Sequence, residues 1–146
     1  YHEGFRQIYQ EKIDFNQTLC LKLTRIEPGR VHARIDKREA LVGHFAYNRI
    51  HGGVISAALD AIGSAAVMAA AAAKHMDEPP AKRLERFAKL GTIDLRIDYL
   101  RPGIGEFFTI DAHCLRVGSR VGTARMDFCG PDGTLMSAGA AAYIVS

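Results

Sequence analysis

Several things are missing from this chain, and each absence narrows the reading. Its three cysteines, Cys20, Cys114 and Cys129, are odd in number, scattered and without a CxxC pair. That pattern argues against a disulfide framework and a cysteine zinc site, and makes a reducing cytoplasm the default location. The opening residues Tyr1-His2-Glu3-Gly4 lack the basic-then-apolar pattern of a secretory signal. Strong charge is absent too. A formal net charge of +3 does not call for nucleic acid, but it leaves room for an anionic small ligand. No internal repeat or linker is visible, so residues 1–146 read as one domain around a single core.

What is present is a long apolar run. After His51-Gly52-Gly53, the twenty residues from Val54 to Ala73 contain one ionisable side chain, Asp60. The length fits a bilayer. However, the run is mostly Ala, and a mid-span Asp costs about 2.5–3.5 kcal/mol on insertion scales. A helix apolar all round is otherwise a core helix, here with one buried carboxylate and Met68 and Met76 as filler. Buried unpaired charge is expensive, so Asp60 needs a partner or a task.

The remaining elements follow from periodicity. Phe5, Ile8, Tyr9 and Ile13 fall at helical spacing in a short N-terminal helix over 3–13. Residues 16–26 alternate through Leu19, Leu21 and Leu23 and predict a strand ending at Pro28-Gly29, followed by a strand over 30–35. Residues 41–50 read as irregular. The central helix ends before Asp77-Glu78-Pro79-Pro80, and residues 82–90 form a short basic segment.

Strands are expected over 92–101, 106–117, 121–129 and 134–145. In the first, Ile93, Leu95, Ile97 and Tyr99 share one face, with Thr92, Asp94, Arg96 and Asp98 on the other. The three turns between these strands are short enough for hairpins, which predicts a meander. The expected class is α+β: a long central apolar helix wrapped by a curved antiparallel sheet of five to six strands.

The His51-Gly52-Gly53 turn, Asp60 eight residues after Gly52, and the run GTIDLRIDYLRPG together resemble a hotdog-fold acyl-CoA thioesterase. The phenylacetate-pathway and 4-hydroxybenzoyl-CoA thioesterase branch is the nearest likeness, over residues 15–145. The resemblance implies a Gly52 backbone N–H as donor to the thioester oxygen and Asp60 as general base or nucleophile. It implies a hydroxyl assisting the attacking water, at Thr92 or at Ser64. Family members often carry Asn or Gln six residues before the His; Phe45 stands there, with Asn48 or His44 as substitutes. The resemblance also implies a site at a dimer interface. The acyl-CoA is the substrate and no separate cofactor is expected.

The chemistry agrees with that outline. The first N–H groups of a helix lack intrahelical partners and favour developing negative charge, and glycines permit close approach. His51 reads as a residue that positions the turn, and His44 with His51 lacks the spacing of a zinc site. Eight residues along a helix rise ~12 Å, whereas the donor and base of one carbonyl each lie about 3 Å from the reacting group. Gly52 and Asp60 of one chain therefore cannot serve the same thioester, and the site needs two chains, in a dimer or tetramer. Arg101, Arg116, Arg120 and the Gly53 turn are candidate contacts to coenzyme A. Lys82, Arg83, Arg86 and Lys89 form a second basic cluster, since arginine suits phosphate.

Two rival functions use the same fold. A 3-hydroxyacyl-thioester dehydratase would share His44-Phe45, but its helix acid would fall at Ala58. A non-catalytic acyl-CoA binding or sensor protein would not need Asp60 and its hydroxyl neighbours.

Overall fold

Phe5 and Tyr9 are fully buried because the first helix, α1 (His2–Gln7), continues as a π-helical turn over Ile8–Lys12 and keeps one apolar face on the core. The computed structural model describes residues 1–146, except for the side chain of His44. A second short helix, α2 (Asp14–Leu19), occupies the place where a strand was expected to begin. The leucine alternation misleads there. Leu19, Leu21 and Leu23 are all buried, but Leu19 closes a helix while Leu21 and Leu23 lead into a strand. Cys20 reverses the chain between them in the left-handed region, φ 54°, and the Leu21 N–H closes the helix end on the Asn16 carbonyl at 3.1 Å.

Strands β1 (Lys22–Glu27) and β2 (Arg30–Asp36) form a hairpin through Pro28-Gly29. The stretch expected to be irregular contains a 3-10 turn, Glu39–Leu41, and a small hairpin of β3 (Val42–His44) and β4 (Arg49–Ile50). Then comes α3 (Gly52–Ala73), uninterrupted. It has the length and composition to cross a membrane, with mean hydropathy 1.8. It is instead the core helix, packed on β2, β6, β7 and β8, where β6 is Phe107–Val117, β7 Val121–Cys129 and β8 Leu135–Ile144. The basic segment before them forms α4 (Pro80–Glu85) and a 3-10 turn, Arg86–Lys89, followed by β5 (Gly91–Tyr99). Met68 is buried as expected, whereas Met76 is exposed.

One six-stranded antiparallel sheet, in the order β1-β2-β6-β7-β8-β5, curves around α3. This is the hotdog arrangement. Two of the three expected hairpins are present; the third is not. β5 pairs with β8 at the far edge rather than with β6. The Leu100 and Arg101 amides both donate to the Met136 carbonyl at 2.9 Å, and the Ile50 amide donates to the Gly103 carbonyl at 2.9 Å. The Pro102-Gly103 segment is thereby anchored across the sheet end beside β4, and cannot fold back as a hairpin.

β5 also breaks its own alternation. Thr92 pairs with Tyr143 and Asp94 with Ala142, so Ile93 is an extra residue, a β-bulge. The bulge puts Thr92 on the same face as Leu95, Ile97 and Tyr99, toward α3, and leaves Ile93 56% exposed. The expected division of faces is therefore corrected at its first two positions.

The helix and sheet meet closely because α3 offers small residues. A Cβ added at Gly63 would sit 2.5 Å from the Tyr143 hydroxyl and 3.0 Å from the Met126 sulfur. Gly63→Ala is thus expected to lower stability by about 1–3 kcal/mol through overpacking, read as a lower midpoint in urea unfolding.

Candidate active site

The start of α3, like any helix start, presents amides that lack intrahelical acceptors. His51 is the N-cap, with extended backbone (φ −64°, ψ 136°), and its Nδ1 accepts from the Gly53 amide at 2.7 Å. The Val54 and Ile55 amides both donate to the His51 carbonyl, at 2.9 and 3.2 Å. Gly52 alone keeps an amide with no acceptor among the described residues. Its carbonyl is held at 2.8 Å by the Tyr99 hydroxyl from β5. The expected donor is therefore open, and His51 does position the turn. The Gly53 amide is held by His51, so Gly53 has only its missing side chain, not a free N–H, to offer a substrate.

Two turns along, Asp60 is half-buried rather than enclosed. It lies on a stripe with Ala57, Ala61 and Ser64 that opens into a cleft of about 240 Å3, roofed by Tyr9, Ile13, Phe15 and Asn16. The Thr92 hydroxyl donates to Asp60 Oδ1 at 2.9 Å. This contact depends on the bulge, which turns Thr92 inward. Ser64, the other hydroxyl candidate, is committed elsewhere. Its single proton goes to the Ala61 carbonyl at 2.7 Å, so the Tyr9 hydroxyl, 2.9 Å away, is the donor to Ser64 Oγ.

A residue that periodicity did not single out completes the arrangement. Tyr143, the register partner of Thr92 on β8, is wholly buried. Its hydroxyl donates to the Asp60 backbone carbonyl at 2.9 Å. The β5–β8 pair thus holds Asp60 twice: Thr92 on the carboxylate, Tyr143 on the main chain. Burial first, and then the Asp60 charge, hold the Tyr143 phenol far above its ordinary range. Burial also raises Tyr9, against the hydrogen bond to Ser64, which lowers it. Both remain protonated donors. An inward tyrosine among the alanines 140–142 was the available signal, since a buried phenol needs a partner.

Other candidates are dispersed. Asn48 adopts the left-handed region, φ 53°, in the turn between β3 and β4, a conformation that Asn tolerates. The side chain of His44 lies outside the described residues. Arg101 donates to the Leu135 carbonyl at 3.0 Å, at one end of β8. The Arg120 carbonyl accepts from the Val145 amide at 2.8 Å, at the other end. Ten residues of strand separate these ends by about 30 Å, so Arg101 cannot share one cluster with Arg120 and its turn-mate Arg116 in a single chain. Lys82, Arg86 and Lys89 border a separate hollow with Ser119, and Arg86 is bound to Glu78 at 2.6 Å. Arg83 leaves that cluster and turns inward.

The sequence and the fold are similar to those of known thioesterase proteins. The profile of the thioesterase superfamily matches residues 47–137. The medium/long-chain acyl-CoA thioesterase YigI of Salmonella typhimurium is 32% identical over 139 residues, 95% of this chain and 90% of that protein. The YigI protein of Escherichia coli matches to the same extent. A crystal structure from Shewanella oneidensis, related to the thioesterase superfamily, superposes with TM-score 0.92 at 31% identity, covering 99% of this chain and 94% of that one. A Streptococcus pneumoniae thioesterase protein solved with coenzyme A shares the fold, with TM-score 0.68 at 16% identity, covering 86% and 85%.

Thr92→Val is expected to reduce kcat roughly ten- to hundredfold, as for a lost hydrogen bond to a charged group, with little change in KM. Tyr143→Phe should cost about 0.5–1.5 kcal/mol of stability and also lower kcat. Steady-state kinetics and urea unfolding of the two variants measure both effects.

Proposed function

The chain belongs to the thioesterase superfamily, and we propose that it hydrolyses medium- or long-chain acyl-CoA at a site assembled from two copies of itself. Gly52 of one protomer donates its amide to the thioester oxygen. Asp60 of the other takes a proton from water as the water attacks the carbonyl carbon. The tetrahedral oxyanion rests on the Gly52 N–H, and the coenzyme A thiolate leaves as the acid forms. Thr92 occupies Oδ1 of Asp60 and leaves Oδ2 for the water. The observation that carries this reading is a single open helix amide and a hydroxyl-bound carboxylate on one straight helix, ~12 Å apart.

Further features support it. Phe45 is 94% exposed in the turn between β3 and β4, and Tyr99 and Leu100 are exposed at the end of β5. Large exposed apolar groups such as these suit a covered interface. The cleft beside Asp60 is walled mainly by apolar side chains, as an acyl chain requires. The chain-length class follows the named relatives. Arg101 lies near the Gly52 half of the site. Arg116, Arg120 and the Lys82 hollow lie at the other sheet end; these basic groups are the candidates for the phosphates of coenzyme A. The dehydratase alternative has less support, because Ala58 is fully buried against the core.

Asp60→Asn should lose roughly 10²–10⁴ in kcat, measured by thiol release from a panel of acyl-CoAs. Gly52→Pro deletes the donor amide, yet proline suits the first helical position and follows an extended residue. Each variant alone should be nearly inactive. Mixing the two after dissociation should restore about a quarter of wild-type activity through the mixed dimers. No recovery would mean that one chain supplies both groups. A single turnover in 18O-water separates the mechanisms: label in the released acid alone fits general-base attack, whereas label in Asp60 identifies a nucleophile.

A further inference from the structure

The two residues that open α3 are glycines, the most permissive of backbones, yet side chains hold nearly all their polar groups. The Gly53 amide donates to His51 Nδ1 at 2.7 Å. The Gly53 carbonyl accepts from the Ser56 hydroxyl at 3.0 Å, and the Gly52 carbonyl from the Tyr99 hydroxyl at 2.8 Å. Three held groups thus surround one open donor, the Gly52 N–H.

These bonds do different things. His51 and Ser56 belong to the first turn of α3 and its cap, so their bonds move with the helix. The peptide plane that carries the open N–H is held in the same way, because the His51 carbonyl accepts from the Val54 and Ile55 amides. All of this fixes the amide relative to its own turn and none of it fixes the turn relative to the sheet. Tyr99 does that. It lies 47 residues away in sequence, at the end of β5, the edge strand of the sheet. Its ring also rests against the glycine: a Cβ at Gly52 would stand 3.4 Å from Tyr99 Cε1. A carbonyl has two lone pairs, so this bond does not displace the helical one.

β5 reaches α3 with a hydroxyl at two places, Thr92 on the Asp60 carboxylate and Tyr99 on the Gly52 carbonyl. If Gly52 and Asp60 of one chain serve different thioesters, the two hydroxyls of one strand act on different reactions. The position of an oxyanion donor matters, since a displacement of ~1 Å can cost up to roughly a hundredfold in rate.

We propose that Tyr99 is a positioning residue for thioester hydrolysis, its hydroxyl tying the start of α3 to β5 so that the open Gly52 amide meets the carbonyl oxygen. This inference rests on the reading of Gly52 as the oxyanion donor.

Tyr99→Phe removes the hydroxyl and keeps the ring against Gly52. Its kcat on decanoyl-CoA should fall roughly three- to tenfold, with KM unchanged. A ketone analogue of decanoyl-CoA, with a methylene between carbonyl and sulfur, gives a second readout. Its infrared carbonyl band should move to lower frequency on binding wild type, and should move less on binding Tyr99→Phe. An unchanged kcat together with an unchanged band overturns the proposal.

Arrangement within the dimer separates positioning from a general loss of stability. Mixed dimers are purified through two different tags in two forms. One has Asp60→Asn on one chain and Tyr99→Phe on the other; the second has both substitutions on one chain beside an unchanged partner. In the first form, the intact Asp60 meets a Gly52 whose own Tyr99 is present. It should therefore turn over roughly three- to tenfold faster than the second form, although both contain the same substitutions. Equal rates overturn the role of Tyr99. The reverse order would support that role and overturn the two-chain site instead.

Discussion

The closeness of the helix to the sheet governs this molecule. The buried face of α3 is built largely from Ala and Gly, and a tyrosine from β8 reaches its backbone at Asp60. Gly63 makes room for that hydroxyl, 2.5 Å from where its Cβ would stand. A helix faced with leucine would stand farther off, and Tyr143 would have no carbonyl to bind. The weak hydrophobicity of the Ala run thus has a structural use. Each small residue gives up buried area and gains proximity, and proximity is what holds the main chain around Asp60.

The polar groups near that carboxylate are allotted so that few remain free. Tyr9 serves Ser64, Ser64 serves Ala61, Tyr143 serves the Asp60 carbonyl and Thr92 serves the carboxylate. At the helix start, His51 and its carbonyl take three amides and leave one. An open group in such surroundings is conspicuous because its neighbours are satisfied. Geometry then sets the limit. A straight helix cannot bend its eighth residue back to its first, so the open amide and the carboxylate face different partners.

The outline was legible in the residues because it rests on local patterns. The apolar run set α3, the paired prolines marked its end, and period-two alternation located β6, β7 and β8 closely. Asp60, Gly52 and His51 stood out because each breaks the pattern around it. What stayed hidden depends on distant partners. Leu19 belongs to a helix because Cys20 turns left-handed, and nothing local distinguishes it from Leu21. β5 reaches the far edge because Leu100 and Arg101 bond Met136, which spacing does not reveal. Arg83 looks like its basic neighbours along the chain, and only the packing of α4 turns it inward. Thr92 was selected through a resemblance, while strict alternation put it on the wrong face.

That last discrepancy has a consequence for how the chain tolerates change in length. Elsewhere in a strand, losing or gaining one residue exchanges the two faces and expels the core side chains. At Ile93 the count and the facing are uncoupled. Removing it would leave Thr92 opposite Tyr143 and Leu95 opposite Ala141, both still inward, and would straighten only the local bend. This position is the place in β5 where an insertion or deletion can be absorbed. Such a change would alter the angle at which a hydroxyl meets the carboxylate while the sheet keeps its core.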